Sequence, residues 1–289
     1  MTRTRVTGMA LMAAAMLLVP GLDVIAKLLM ERLSPLEVTA SRFVMQTLVL
    51  LPLVIRPLGL AWPKPSLLIP GFFPACALLA FNHAIQQMPI ANALAIFFVE
   101  PLILTVLAWL LLREELGRHR LIAVMAGLLG AAMILRPNVA EFGLLSFYPL
   151  ATAFFFAFYM LTTRRTSQKV RPTHLQFWTG VSASLVLLTA LVLTGGIKPA
   201  ALRFLNLSGH ELFLLICLGS LAAVAHQLIV RALSLVEANT LAPFQYLELV
   251  SAVALGWLIF VSFPDPWTWL GAAIVVGSGL AVLRMEGRT

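Results

Sequence analysis

Ala91-Asn92-Ala93-Leu94-Ala95-Ile96-Phe97 returns later in the chain as Ala238-Asn239-Thr240-Leu241-Ala242-Pro243-Phe244. Five of the seven positions are identical, 147 residues apart (91 to 238). Apolar segments draw on few residue types, so matches among Ala and Leu are cheap; the shared Asn and Phe are not. Upstream, His83-Ala84-Ile85 reads against Arg231-Ala232-Leu233 after a one-residue shift. Downstream, each copy is followed by a glycine-bearing apolar stretch, with Gly127 and Gly130 in one and Gly271, Gly277 and Gly279 in the other. The chain therefore reads as one unit written twice, and the nature of that unit follows from the residues around the motif.

Those residues are apolar almost without relief. Of 289 residues, 61% are hydrophobic and 11% charged, where a soluble domain carries roughly 25% charged residues. Runs long enough to cross ~30 Å of hydrocarbon, at ~20 residues each, fall at about 6–27, 36–55, 67–88, 91–112, 120–136, 143–163, 173–194, 211–233, 238–260 and 267–284. The runs are continuous rather than alternating, which selects helices over a barrel. The expected fold is an all-α integral membrane protein of ten transmembrane helices. The repeat divides them into two five-helix units, residues 1–138 and 139–289. Five is odd, so the second unit enters the bilayer upside down. Inverted repeats with a site between them near the midplane are the architecture of alternating-access transporters.

Charge sets the orientation. With the N-terminus inside, the inner segments hold 14 Lys and Arg against 5 in the outer ones, and Arg42 lies within the second helix. This bias places both termini in the cytoplasm of an inner, plasma-type membrane. The same distribution removes nucleic acid as a partner for the net charge of +8, because the positive groups form no face or arm. Arg3 and Arg5 ahead of Met9–Val19 resemble the start of a signal peptide, but Asp23 and Lys27 occupy the cleavage zone, so a retained first helix is expected. Cys76 and Cys217 lie singly in apolar runs and imply neither disulfide nor metal. No catalytic cluster, cofactor motif or nucleotide-binding loop is legible, so an enzyme is not expected. Charged rings and filter repeats are missing too, which ranks a channel below a transporter. The expected partners are the bilayer and a small-molecule substrate, with the chain a monomer or homodimer.

Leu110-Leu111-Leu112-Arg113-Glu114-Glu115-Leu116, followed by Gly127 to Pro137, resembles the end of the first repeat in the EamA family of the drug/metabolite transporter superfamily. Arg113 stands where that family usually has Gly, and Glu114 or Glu115 supplies its Glu. Phe263-Pro264-Asp265-Pro266-Trp267-Thr268-Trp269-Leu270-Gly271 is similar to the matching part of the second repeat. There Val261 and Ser262 replace the usual Glu. The resemblance spans nearly the whole chain. It implies export of small metabolites, with aromatic or other neutral amino acids as the leading class and a vitamin, nucleoside or drug as the alternative.

Polar residues inside the spans are the candidate substrate contacts, since each is costly there. Glu100 and Glu248 fall near the middle of the fourth and ninth helices and are repeat-equivalent to within one position. Each either faces a cavity and meets a substrate ammonium, or bonds two helices together. Gln245 shares a face with Glu248, while Tyr246 points elsewhere. Asn82, His83 and Gln86 cluster on the third helix with Gln87, and His226 with Gln227 forms a looser counterpart on the eighth. Trp178, Tyr159 and Tyr148 are candidates for an aromatic wall or for plain packing. Asp23 and Lys27, acid first at i,i+4, are expected to pair near the outer end of helix one. Arg42 is expected to reach outward or to pair with Asp23.

Overall fold

The computed structural model describes residues 3–58, 68–112, 122, 125–126, 129–130, 132–133, 139–236, 241, 244–245, 247–261, 266–267, 269–274 and 276–277. Among them there is no strand. Helices α1 (Arg3–Leu29), α2 (Pro35–Leu58), α3 (Ile69–Gln87), α4 (Ile90–Phe97) and α5 (Glu100–Leu112) come first. Then come α6 (Phe147–Ser167), α7 (Pro172–Leu193), α8 (Ile197–Leu205), α9 (Gly209–Leu235) and α10 (Leu247–Phe260). Six stretches among the described residues are long and apolar enough to cross a membrane: Thr4–Leu29, Pro35–Ile55, Ile90–Leu111, Val139–Ser167, Pro172–Leu193 and Gly209–Leu235. In α3, Asn82, His83, Gln86 and Gln87 occupy the last turns and dilute the apolar run. The expected spans at 120–136 and 267–284 are helical wherever they are described. The Glu114–Glu115 and Phe263–Asp265 segments that carry the family resemblance lie outside the described residues.

Helix ends follow local chemistry. Ser34 and Glu37 form reciprocal caps at the start of α2: the Ser34 amide donates to Glu37 Oε2 at 2.7 Å, and the Glu37 amide to Ser34 Oγ at 3.3 Å. Ser208 and Glu211 repeat this capping box at the start of α9. Each box satisfies two amides that would otherwise lack partners. At the other end of the bundle, Arg164 donates to the Leu233 carbonyl at 2.6 Å and Arg165 to the Leu111 carbonyl at 2.7 Å, supplying charge-assisted partners near the ends of α9 and α5. Hydroxyls within the helices bond back four residues, as Thr39 does to Pro35 O, Ser41 to Glu37 O and Thr47 to Phe43 O. This keeps their polar atoms satisfied in a dry setting.

The fourth span is broken, which the sequence reading treats as one helix. Residue 101 is a proline, which has no N–H to offer the Phe97 carbonyl. α4 therefore stops at Phe97, Phe98 and Val99 make a turn, and α5 starts afresh at Glu100. In the ninth span α10 likewise starts only at Leu247, after a single turn at Phe244 and Gln245. Glu100 and Glu248 thus each stand in the first turn of a half-helix, where the macrodipole favours negative charge.

The helices pack in a regular set of pairs. α1 lies along α9, and α3 along α6; α2 packs on α7 and α9, and α3 also on α7. α1 meets α10, α5 meets α6, and α4 meets α10. Small residues set the closest crossings, as is usual between membrane helices. A Cβ on Gly71 would lie 2.5 Å from the Thr179 carbonyl of α7 and 2.6 Å from Ser182 Cβ. A Cβ on Gly219 would overlap Met45 Cβ and sit 3.0 Å from the Gln46 amide of α2. Gly219→Ala is therefore expected to lower stability by about 1–3 kcal/mol, read as a reduced Tm in detergent. An unchanged Tm would show that α9 and α2 can part at little cost.

Exposure is inverted relative to a soluble protein. Leu17, Leu53, Phe72, Trp109, Phe213 and Leu258 face outward, as lipid requires. Asp23, Arg42, Gln46, Glu100, Gln176, His226, Gln245 and Glu248 are buried. A short helix at one end, α8, escaped the sequence reading because nine residues between two long spans look like a loop.

Candidate functional site

The buried polar residues arrive by helical spacing. On α1, Met12, Met16, Val19, Asp23 and Ala26 recur at three- and four-residue intervals and form one inward stripe. Val38, Arg42 and Gln46 do the same on α2, Ala222, His226 and Ile229 on α9, and Glu248 and Ala252 on α10, with Gln245 in the turn just before it. Each polar group therefore lies on a face that is otherwise apolar core. Asp23 is six residues before the end of α1 and Arg42 seven after the start of α2, so each sits roughly 10 Å in from that end.

These stripes converge on one cavity between α1, α2, α3, α4, α6, α9 and α10. Asp23, Arg42, His226 and Glu248 supply its charged and titratable wall, and Phe81, Phe97 and Phe156 its aromatic one. Phe97 lies edge-on to both Phe81 and Phe156, with centroids 6.3 and 5.5 Å apart. The cavity measures about 40 Å³. Small-molecule sites usually measure hundreds of Å³. The walls as they stand enclose room for a few waters, and a metabolite requires the helices to move apart.

Arg42 is only 2% exposed and lies within electrostatic reach of Asp23, Tyr159, Glu248 and His226. Its Nε has no hydrogen-bond partner among the described residues, and neither has Asp23 Oδ2. The Nδ1 of His226 is 3.2 Å from the Ala222 carbonyl, so that nitrogen donates and Nε2 is the acceptor of the neutral ring. Glu248 feels the charges of both Asp23 and Glu100. Glu100 itself is fully buried behind the cavity wall. Gln245 is placed against it but outside hydrogen-bond geometry, and among the described residues both Glu100 oxygens and both Gln245 side-chain polar atoms lack partners. Glu100→Gln keeps the shape and removes an unsatisfied buried carboxyl, so stability should stay within about 1 kcal/mol of the parent or rise. A Tm drop of many degrees would show that the carboxyl holds a partner the fold needs.

The other sequence candidates are distributed more widely. Asn82 is buried and donates to Thr39 Oγ1 at 2.8 Å, bonding α3 to α2. His83 stacks on Tyr148 with centroids 5.5 Å apart, and Gln86 and Gln87 are exposed at the end of α3. Trp178 packs edge-on against Phe177 in a cluster with Leu50 and Val54. Tyr159 is fully buried beside Phe156, 5.4 Å away, and His226, 6.3 Å away. Tyr246 lies outside the described residues. The expected Asp23–Lys27 ion pair does not form. Lys27 Nζ instead donates to the Met88 carbonyl at 2.8 Å, at the end of α3, and stands 5.3 Å over the Phe260 ring. A free carbonyl and an aromatic face hold the ammonium, and Asp23, one turn deeper, turns into the cavity. Arg42 likewise stays inside rather than reaching outward. The i,i+4 spacing shows which residues share a face of α1 but not what that face meets; the inward stripe is the signal that finds both.

Comparison with known proteins follows the same outline. The family model described as EamA-like transporter family matches residues 6–136 and 142–284. The S-adenosylmethionine uptake transporter of Rickettsia prowazekii is 27% identical over 92% of this chain and 89% of its own length. The riboflavin transporter of Rhizobium johnstonii is 32% identical over 72% of this chain and 67% of its own. The pseudopaline exporter of Pseudomonas aeruginosa is 26% identical over 81% of each chain. A solved crystal structure superposes with a TM-score of 0.71 at 19% identity, over 98% of this chain and 99% of that one, a likeness of fold.

Proposed function

We propose that this chain, which belongs to the EamA-like transporter family, is a secondary transporter of small amino-acid-bearing metabolites that works by alternating access around the central cavity. The observation that carries this reading is the cavity itself: Asp23, Arg42, His226 and Glu248 brought from four helices to one narrow, aromatic-walled space. Intramembrane charges of this kind mark substrate paths. Amino acids, the class implied by the sequence resemblance, and S-adenosylmethionine, the cargo named for one relative, share an ammonium and a carboxylate that such a wall can receive.

The machine is read as ten helices in two inverted units, residues 1–138 and 139–289, with both termini cytoplasmic. The packing pairs support the two-unit part of this reading. Exchanging the units turns α1 on α9 into α6 on α3, α2 on α9 into α7 on α3, and α1 on α10 into α6 on α5, and all six contacts occur. The crossing glycines obey the same exchange: Gly71 and Gly219 are 148 residues apart (71 to 219), the offset of His83 and Arg231. Each approaches the second helix of the opposite unit. The half-helix starts at Glu100 and Leu247 are the discontinuous helices expected at such an interface. Rocking one unit against the other would open the cavity to each side in turn. The relatives include uptake transporters and an exporter, so either direction of net flux is compatible with one mechanism.

Counterflow in proteoliposomes tests the proposal, with labelled neutral and aromatic amino acids, S-adenosylmethionine and riboflavin. At least one amino-acid-bearing compound should enter faster than into empty liposomes; if none does, the substrate class fails. Riboflavin is the second reading, favoured by the three phenylalanines that could face a flat ring.

A further inference from the structure

We infer that Arg42 is the specificity-determining residue of this cavity: it receives the carboxylate of a zwitterionic substrate whose ammonium is held by Asp23 and Glu248. The inference deepens the transporter reading and rests on it. An arginine within the bilayer is costly, and one kept there is expected to be paired and hydrogen-bonded. Arg42 is 2% exposed, yet its Nε has no partner among the described residues. Asp23, the acid whose charge acts most strongly on Arg42, also keeps Oδ2 unpartnered among the described residues. The two opposite charges share a cavity wall without closing on one another. Thr39, one turn before Arg42, is committed to the Pro35 carbonyl and to Asn82, and His226 spends its Nδ1 on the Ala222 carbonyl.

A molecule carrying both charges satisfies both groups at once. A guanidinium offers paired N–H donors that match the two oxygens of a carboxylate. Asp23 and Glu248 accept from an ammonium across the same space. Both are carboxyls facing one guanidinium, so a zwitterion with an additional positive charge is accommodated as well as a neutral amino acid. Phe81, Phe97 and Phe156 leave an apolar wall for the rest of the molecule. A bare amine would leave Arg42 unpaired, and a bare carboxylate would leave the acids unpaired. Sites with buried polar groups reject ligands that lack the matching group by large factors.

The experiment compares matched ligands on the full-length protein in proteoliposomes. S-adenosylmethionine is set against its decarboxylated form, and phenylalanine against phenethylamine and 3-phenylpropionate. The whole zwitterion should compete at least ~30-fold better than its decarboxylated partner. In Arg42→Gln that advantage should vanish, with the amine little changed; Arg42→Lys should restore part of it. If the unmodified protein takes amine and zwitterion equally, the assignment is overturned, and this comparison needs no variant to fold. It is also overturned if Arg42→Gln weakens both alike. Transport of riboflavin with no zwitterion moved overturns the Arg42 assignment while leaving a transporter. No flux of any compound overturns the transporter reading itself.

Discussion

Asp23→Asn is expected to cut the transport rate at least ~30-fold, with a loss of two or more orders of magnitude within range. The carboxylate stands on the inward stripe of α1, 3% exposed, within electrostatic reach of Arg42. Taking away its charge has two consequences that point the same way. The substrate ammonium loses one of its two acceptors, and Arg42 keeps only Glu248 as an acidic neighbour on the cavity wall. Asp23 and Arg42 do not close on one another, so removing Asp23 should cost less than the roughly 3–5 kcal/mol of breaking a closed buried pair, and Glu248 decides how much of that appears as lost stability. Two measurements separate the effects: counterflow rate, and Tm in detergent with and without substrate. Asp23→Glu keeps the charge on a longer arm and should retain more transport than Asp23→Asn. If Asp23→Asn transports at the parent rate with the parent KM, the cavity is not on the transport path.

Continuous apolar runs gave the long helices, because hydrocarbon accepts little else. Glu100 and Glu248 were found by counting along spans, but counting could not see that each begins a half-helix. For the fourth span the sign was there, since Pro101 forbids the bond that would carry an unbroken helix through Phe97. Asp23 and Lys27 looked like a surface pair because i,i+4 spacing describes one helix in isolation. Which neighbour each side chain meets is a property of α3, α9 and α10, and no local rule contains it. Asn82 shows the converse: a polar residue in a polar-rich turn that is spent on Thr39, bonding two helices. Its sequence neighbourhood resembles a wet wall as readily as an adhesive one.

Arg203→Ala is expected to lower stability by about 1–3 kcal/mol. Arg203 lies on α8 and grips Glu37 with two nitrogens: Nη2 to Oε1 at 2.7 Å, and Nε to Oε1 and Oε2 at 3.0 and 3.1 Å. Glu37 has no exposed side-chain surface, while Arg203 is 42% exposed. The pair is therefore half-screened, which is why the expected cost sits below that of a fully buried one. Glu37 also caps α2 through Ser34, so Glu37→Ala should cost more than Arg203→Ala, adding the loss of the cap. The double variant should fall short of the summed losses, and the shortfall measures the coupling. Arg32 and Glu211 provide the contrast. They meet at 3.0 Å, but Arg32 is 66% exposed, and such pairs contribute little. The two pairs are reciprocal: Arg203 holds the glutamate that caps α2, and Arg32 the glutamate that caps α9. Any motion that parts α8 from the start of α2 must break the Arg203–Glu37 grip, so Arg203→Ala should also change the exchange rate without changing which ligands compete. An altered ligand ranking would instead mean that the pair shapes the cavity from a distance.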